Sequence, residues 1–191
     1  MCGESANWMY TNSGIYNSPF DQGCSIDGMG ASCAEVLGLL GFGAAYSPAV
    51  MRQKAADMYS ASRDLLPDIL SRPSCAALFS GLPGGESALN FLDSDSHLRL
   101  SWDPEHDASL WATTTDYNGT AFINFNSDPD GSFINDTALG NADTIVHEML
   151  HAISFVYNVR PAGWSDNDGG DDPAARAAQV MNQQIVKSAC F

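Results

Sequence analysis

Two histidines and a glutamate stand in the spacing His147-Glu148-Met149-Leu150-His151. In a helix, residues four apart lie one above the other, so both imidazoles face one side and can bind one Zn²⁺ ion. Glu148, one position away, can serve as general base toward a water molecule that the metal activates. This HExxH spacing therefore predicts a hydrolytic zinc site, with Glu148 as the catalytic residue and His147 and His151 as metal ligands.

A catalytic zinc ion usually has three protein ligands and a water, so a third ligand must come from elsewhere in the chain. No glutamate and no histidine follows His151, which leaves the downstream aspartates. Asp168 is the predicted ligand, because the two glycines after it allow the backbone to fold closely toward the site. Asp172, before a proline, is better explained as a helix cap. The alternatives are Asp166, Asp171 and Asp172 downstream, and His97, Glu105 and His106 upstream.

The elements that must position these groups follow from the hydrophobic periodicity of the chain. Apolar positions in helical spacing predict a largely buried helix over 144–157, opened by a cap at Asn141 or Asp143. A second amphipathic pattern predicts a helix over 49–66, and a proline start predicts a last helix over about 173–187.

Residues 97–126 have a different pattern, with alternating apolar positions around an Asn118-Gly119 turn. Such runs are typical of a β-hairpin. The predicted fold class is therefore α+β, with helices plus a small, mostly antiparallel sheet packed on the helix that carries the two histidines. Residues 1–33 are rich in Gly, Ser, Asn and Asp. This composition predicts an irregular arm that wraps the domain formed by 34–191.

The length of 191 residues favours one domain, and the charge restricts its partners. Eight Lys and Arg residues against 23 Asp and Glu residues give a net charge of −15. This charge repels phosphate backbones and anionic lipids, so we expect neither a nucleic-acid partner nor a membrane partner. The longest apolar run, at 36–45, is too short to span a bilayer. Without a signal peptide, the chain is expected to be cytosolic, already processed, or cut from a larger protein.

The cysteines occur at positions 2, 24, 33, 75 and 190, with no CxxC pair and no Cys/His spacing typical of a zinc site. Disulfides between Cys24 and Cys33 and between Cys75 and Cys190 would leave Cys2 unpaired. The alternative is a set of reduced, buried thiols in a cytosolic protein.

The HExxH helix followed by a downstream aspartate resembles the aspzincin class of zinc metallopeptidases. The chain also resembles the C-terminal extensions of bacterial Rhs-repeat-associated (YD-repeat) proteins, which look like metallopeptidase toxin domains. Besides HExxH, the matching segments are CSIDGMGASC at 24–33, SCAALFSG at 74–81 and NQQIVKSACF at 182–191. They cover most of the chain in patches, and HExxH is the specific one among them.

This resemblance implies a zincin-like metallopeptidase domain that hydrolyses proteins or peptides. It also implies release from a larger polymorphic-toxin precursor, with secretion or delivery out of the producing cell. An immunity protein or the parent Rhs shell would then be a partner. In zincin-like folds an edge strand pairs with the substrate, and by resemblance 119–126 is the candidate here, with an ordinary core strand as the alternative. A transition-state stabiliser is expected opposite Glu148, from His97, His106 or Tyr157.

Other interpretations of the same residues lead to different functions. The acidic segment 166–172 is also typical of a calcium-binding or adhesion module, and Ca²⁺ could equally stabilise a protease. An HExxH helix can also belong to a catalytically inactive zincin-like domain, or to a buried helix whose histidines only form hydrogen bonds.

Overall fold

A computed structural model describes residues 47–93, 96–105, 107, 109–170 and 172–191. The chain divides into two compact units, residues 1–53 and 54–191, and the second unit contains both histidines of the HExxH motif. The predicted arm over 1–33, with Cys24 and Cys33, lies outside the described residues.

In the described chain, four helices precede the sheet: α1 (Pro48–Arg63), α2 (Leu66–Leu70), α3 (Pro73–Leu78) and α4 (Ala88–Leu92). Helix α1 begins behind Ser47, whose hydroxyl accepts a hydrogen bond from the backbone N–H of Val50 at 3.3 Å. Prolines lie in the first turn of α2 and α3. Backbone N–H groups in a first turn have no partner within the helix, so a residue without an N–H is tolerated there. The helix predicted over 49–66 is therefore present, but it ends earlier than expected, at Arg63.

The sheet has three strands in the order β1-β3-β2, which are β1 (Leu98–Ser101), β2 (Ala112–Tyr117) and β3 (Thr120–Phe125). Strands β2 and β3 form the predicted antiparallel hairpin. Asn118 and Gly119 both have positive φ values, 52° and 77°, as a two-residue turn of this kind requires.

The sheet is mixed, and not mostly antiparallel as the sequence suggested, because β1 pairs with β3 in parallel. The side chain of Asn124 joins these two strands. Its Oδ1 atom accepts hydrogen bonds from the hydroxyl of Ser101 at 2.9 Å and from the backbone N–H of Asp103 at 2.8 Å. Such a contact between distant segments has no local signature in the sequence.

The expectation that 119–126 forms the edge strand is wrong, because β3 is the central strand. Its side chains at Ala121, Ile123 and Phe125 are fully buried, which explains its central place. The edges of the described sheet are β1 and β2.

The HExxH motif lies on α6 (Ala138–Tyr157), which follows a single turn of helix, α5 (Ser132–Asn135). Helix α6 begins earlier than the predicted 144, because the hydroxyl of Thr137 caps it by accepting a hydrogen bond from Gly140 N–H. Asn141, a predicted cap, is instead fully buried and donates to the carbonyl oxygen of Phe133 at 2.8 Å. Asn158 ends the helix with a left-handed φ of 54°.

The last helix, α7 (Pro173–Cys190), begins behind Asp172, whose carboxylate accepts hydrogen bonds from Ala174 N–H and Ala175 N–H. The predicted disulfide between Cys75 and Cys190 is confirmed, and it ties the end of α7 to α3. Helix α7 also packs against α6, which in turn packs against β2 and β3. No helix within the described ranges is long and apolar enough to cross a membrane.

Candidate metal centre

Helix α6 places the three residues of the HExxH motif in a buried position. His147, Glu148 and His151 are 9%, 7% and 5% exposed. The Nε2 atoms of the two imidazoles are 3.2 Å apart, as the spacing of one helical turn allows. Two imidazoles and a carboxylate are expensive to bury, so this part of the helix needs polar partners.

The loop between α6 and α7 brings Asp168 to the two histidines. Its Oδ2 atom lies 3.0 Å from Nε2 of His151 and 3.3 Å from Nε2 of His147. Three ligand atoms around one tetrahedral zinc ion, each about 2.0–2.1 Å from the metal, are roughly 3.3 Å apart. The observed triangle therefore fits one metal ion with little movement of the side chains. Across the described residues, this trio is the one group of three or more His, Cys, Asp or Glu residues that could hold a metal ion.

Asp166, an alternative ligand in the sequence analysis, has a different position. Its Oδ1 atom lies 3.3 Å from Nδ1 of His151, the ring nitrogen that does not face Asp168. The same carboxylate accepts hydrogen bonds from Ser154 Oγ at 2.6 Å and from Arg160 Nε at 2.6 Å. Burial would raise the pKa of Asp166, but these hydrogen bonds lower it. Asp166 therefore orients His151 and does not join the triangle.

Helix α7 supports the third corner of the triangle through Asn182, which is fully buried. Its Nδ2 atom donates to Oδ2 of Asp168 at 2.6 Å and to the carbonyl oxygen of Ser165 at 2.6 Å. Its Oδ1 atom accepts from the backbone N–H of Ser165 at 3.1 Å. One amide thus holds both the loop and the carboxylate.

The charges of the site act strongly on one another. Burial alone would lower the pKa of His151, but the hydrogen bond to Asp168 and the negative charge of Glu148 raise it above its ordinary value. Burial would raise the pKa of Asp168, but hydrogen bonds from His147 and His151 hold it well below its usual range. The site therefore favours an ionised Asp168 and a positive charge beside it, which a metal cation can supply.

A residue of the sheet holds the carboxylate of Glu148 in place. Thr114, on β2, donates its hydroxyl hydrogen to Oε2 of Glu148 at 2.5 Å. Because a hydroxyl can donate to an ionised carboxylate, the contact orients Glu148 and leaves its other oxygen available.

One indole ring covers both histidines, but the Nδ1 atoms of the two imidazoles have different surroundings. The indole of Trp164 packs on both imidazoles, with ring centroids 5.2 Å from His147 and 4.8 Å from His151. In contrast to the nitrogen of His151 that faces Asp166, Nδ1 of His147 is buried with no hydrogen-bond partner among the residues described. The same holds for Oδ1 of Asp143, one turn earlier, and burial raises the pKa of this residue. His151 is therefore the more firmly oriented of the two imidazoles.

The other predicted site residues lie elsewhere. Tyr157 donates its hydroxyl hydrogen to Glu86 at 3.0 Å, and its ring contacts His97 at 5.6 Å. Tyr157 is nine residues beyond Glu148 on α6, about 13 Å along the axis, so neither it nor His97 is placed to stabilise a transition state opposite Glu148.

Glu105 is bound to side chains of the sheet, because it accepts hydrogen bonds from Thr113 Oγ1 at 2.7 Å and from Asn124 Nδ2 at 2.6 Å. These side chains point away from the face that carries Thr114 and packs on α6. Asp172 caps α7. His106 and Asp171 lie outside the described residues.

A cleft of about 990 Å³ opens beside the metal centre, between α6, α7 and the start of β2. His147 and Glu148 are part of its wall. Ligand-binding clefts are typically about 300–1,000 Å³, so this one has room for several residues of an extended peptide.

Three supporting residues were missed in the sequence analysis: Thr114, Trp164 and Asn182. Each comes from a different segment than the HExxH helix, and each acts through a long-range contact. A single sequence contains no pattern that connects them to the motif.

Comparisons with known proteins give no match to a family model, to a curated protein or to a solved structure.

Proposed function

We propose that this chain is a zinc-dependent metalloendopeptidase with a zincin-like active site. His147, His151 and Asp168 are the zinc ligands, and Glu148 is the general base. The observation that carries this proposal is the triangle of ligand atoms 3.0–3.3 Å apart, with the carboxylate of Glu148 next to it on the same helix. Nitrogen and carboxylate donors in this number leave a fourth position for water or substrate, as catalytic zinc sites do.

A zinc ion held by His147, His151 and Asp168 would supply Lewis acidity toward a peptide carbonyl and a water molecule. Glu148 would take a proton from the water as its oxygen attacks the carbonyl carbon, and would pass this proton to the amine nitrogen as the carbon–nitrogen bond breaks. Thr114 holds one oxygen of Glu148, so that the other oxygen can receive the proton. Asp166 and Asn182 keep His151 and Asp168 in place, and Trp164 shields the histidines from water.

Two features support a peptide as substrate. The cleft is lined by His147 and Glu148, and it also contains Trp111 and Ala112 at the start of β2. Within the described sheet, β2 pairs with β3 on one edge and with no strand on the other. An extended peptide can add to such an edge by main-chain hydrogen bonds.

We also propose that the chain acts outside the producing cell as an effector domain released from a larger Rhs-type precursor. The disulfide between Cys75 and Cys190 is compatible with an oxidising environment. An immunity protein or the parent Rhs shell would then protect the producing cell.

Metal analysis and a cleavage assay test this proposal together. Protein purified without chelator should contain about one equivalent of zinc, and it should digest an unfolded protein such as reduced casein. Removal of the metal should stop digestion, and added zinc should restore it. Calcium without zinc would instead support the calcium-binding module. Bound zinc without hydrolysis of any peptide would indicate an inactive zincin-like domain.

A further inference from the structure

The cleft beside the metal centre contains an exposed aromatic side chain, Trp111. The residue is 42% exposed although it is large and apolar, and it lines the same cleft as Glu148. Large apolar side chains left open to solvent inside a cleft are typical of binding sites. Val180, on α7, lines the same cleft and is 67% exposed.

The protein holds the indole of Trp111 in place. Its Nε1 atom donates a hydrogen bond to Oδ2 of Asp136 at 3.1 Å, and its carbonyl oxygen accepts one from the backbone N–H of Asn126 at 3.0 Å. Because the polar atom of the ring is already bound within the protein, the ring offers a ligand only its apolar faces. A fixed aromatic ring also loses little conformational entropy when a ligand packs on it.

Helix α6 contributes to this arrangement through Gly140. A Cβ atom at this position would overlap the carboxylate of Asp136, so only glycine lets Asp136 lie against the helix and reach the indole. The position of the Trp111 indole thus depends on Gly140, because a larger residue there would displace Asp136.

The charged groups of the cleft already have contacts within the protein. The Nζ atom of Lys187 lies 3.9 Å from Oδ2 of Asp143, which also accepts a hydrogen bond from Gln183. The carboxylate of Asp136 accepts the indole N–H and the backbone N–H of Thr137. A charged ligand would have to displace these contacts, whereas an apolar side chain would cover Trp111 and Val180 without breaking any.

We propose that Trp111 forms a specificity subsite that binds a large apolar side chain, aromatic above all, next to the peptide bond that is hydrolysed. Val180, on α7, adds a second exposed apolar surface to the same cleft. The inference rests on the proposed peptidase function, since it identifies the class of peptide that the metal centre acts on. Trp111 determines specificity and takes no part in proton transfer.

A set of matched internally quenched peptides tests this subsite. The peptides differ at one position at a time, with Phe, Leu, Lys, Glu or Gly on either side of the cleaved bond. At one of these positions, Phe and Leu should give a kcat/KM at least about tenfold above Lys, Glu and Gly, since only the large apolar side chains can pack on the indole.

Variants distinguish the loss of this subsite from a general loss of activity. Trp111→Ala should lower kcat/KM for the Phe peptide about tenfold, mainly through KM, and change the Gly peptide less than about twofold. Trp111→Phe should restore most of the preference, and Gly140→Ala should weaken it because Asp136 is displaced. Phe122→Ala is the matched control, because this ring is 39% exposed and lies on the other face of the sheet from the buried side chains that pack on α6.

A binding measurement distinguishes the failure of this inference from that of the peptidase function. Calorimetry with the Glu148→Gln protein should show tighter binding of the Phe peptide than of the Gly peptide, and Trp111→Ala should remove the difference. If no peptide is hydrolysed but this difference is present, the subsite stands and the peptidase function is wrong. If peptides are hydrolysed or bound with no apolar preference, or if Trp111→Ala affects all of them equally, the subsite is wrong. Neither hydrolysis nor binding would overturn both.

Discussion

The Oδ1 atom of Asp166 lies 3.3 Å from Nδ1 of His151, on the side of the imidazole opposite to the nitrogen that faces Asp168. A carboxylate on the outer nitrogen of a metal-binding histidine fixes the orientation of the ring and makes the inner nitrogen a stronger ligand. The sequence offered Asp166 only as an alternative ligand, whereas in the structure its carboxylate lies beside the outer nitrogen of His151.

Replacing Asp166 with Ala should therefore weaken zinc binding by about 10–100-fold, because His151 loses its orienting partner. Competition with a chromophoric chelator measures this affinity. Arg160→Ala is the matched control, since it removes a half-exposed ion pair to the same carboxylate, and a hydrogen bond to Asn158, but leaves Asp166 beside His151, and it should change the affinity much less. Equal affinities in Asp166→Ala and the wild type would show that the contact has no functional role.

Glu148→Gln should retain bound zinc and the fold, while hydrolysis falls by a factor on the order of 10²–10⁴. The amide keeps the size of the side chain and can still bind the hydroxyl of Thr114, but it cannot accept a proton. Metal analysis and the casein assay measure the two effects on one sample. Wild-type rates of proteolysis in this variant would exclude Glu148 as general base.

Asp168→Ala should lose both zinc binding and hydrolysis, because two histidine ligands rarely suffice. Asp172→Ala serves as control: it removes the cap of α7 and lowers the free energy of unfolding by about 0.5–2 kcal/mol, yet it should retain zinc. Zinc content and chemical denaturation of both variants check this contrast. Full zinc affinity in Asp168→Ala would move the third ligand to another residue.

The metal-free protein should be most stable at mildly acidic pH. The lowered pKa of Asp168 adds stability that is present above its unfolded value near 3.8 and is lost as the pH falls. The raised pKa of His151 adds stability that is fully present below its unfolded value near 6.5 and is lost as the pH rises. Both contributions are therefore present between about pH 4 and 6.5.

Chemical denaturation of chelator-treated protein between pH 4 and 8 measures this profile. Asp168→Asn should flatten it, because the paired charge is gone while the shape of the side chain is retained. A wild-type profile that rises steadily from pH 6.5 to 8, or an unchanged profile in Asp168→Asn, would contradict this expectation.

Reduction of the disulfide between Cys75 and Cys190 should lower the free energy of unfolding by about 2–4 kcal/mol, because the bond closes a long loop, with a sequence separation of 115. The end of α7 should nevertheless remain docked, since Arg72 and Ser74 donate hydrogen bonds to the carbonyl oxygens of Cys190 and Ala189. Denaturation of the protein with both cysteines replaced by serine measures the loss. An unchanged free energy of unfolding would contradict the prediction, because it would show that the disulfide adds no stability to the fold.

Several features were determined by the sequence alone because they depend on neighbours along the chain. The spacing of four residues places His147 and His151 on one side of a helix whatever the rest of the fold does. The Asn118-Gly119 pair specifies a hairpin, and Asp172 before a proline specifies a helix start, for the same local reason.

The placement of the side chains around the two histidines, and the order of the strands, depend on long-range packing. Asp166 and Asp168 are two residues apart in one acidic loop. Asn182 on α7 holds Asp168 beside Nε2 of His151, whereas Ser154 and Arg160 hold Asp166 beside Nδ1 of the same ring. In the same way, β3 is central because it pairs with β1 as well as β2, where Asn124 binds Ser101, and Thr114 on β2 reaches Glu148 on α6. Such contacts join residues that are distant in sequence, and their energy depends on the burial and orientation of both partners. A periodic pattern in one segment contains no information on either quantity, so these contacts are set by the tertiary structure.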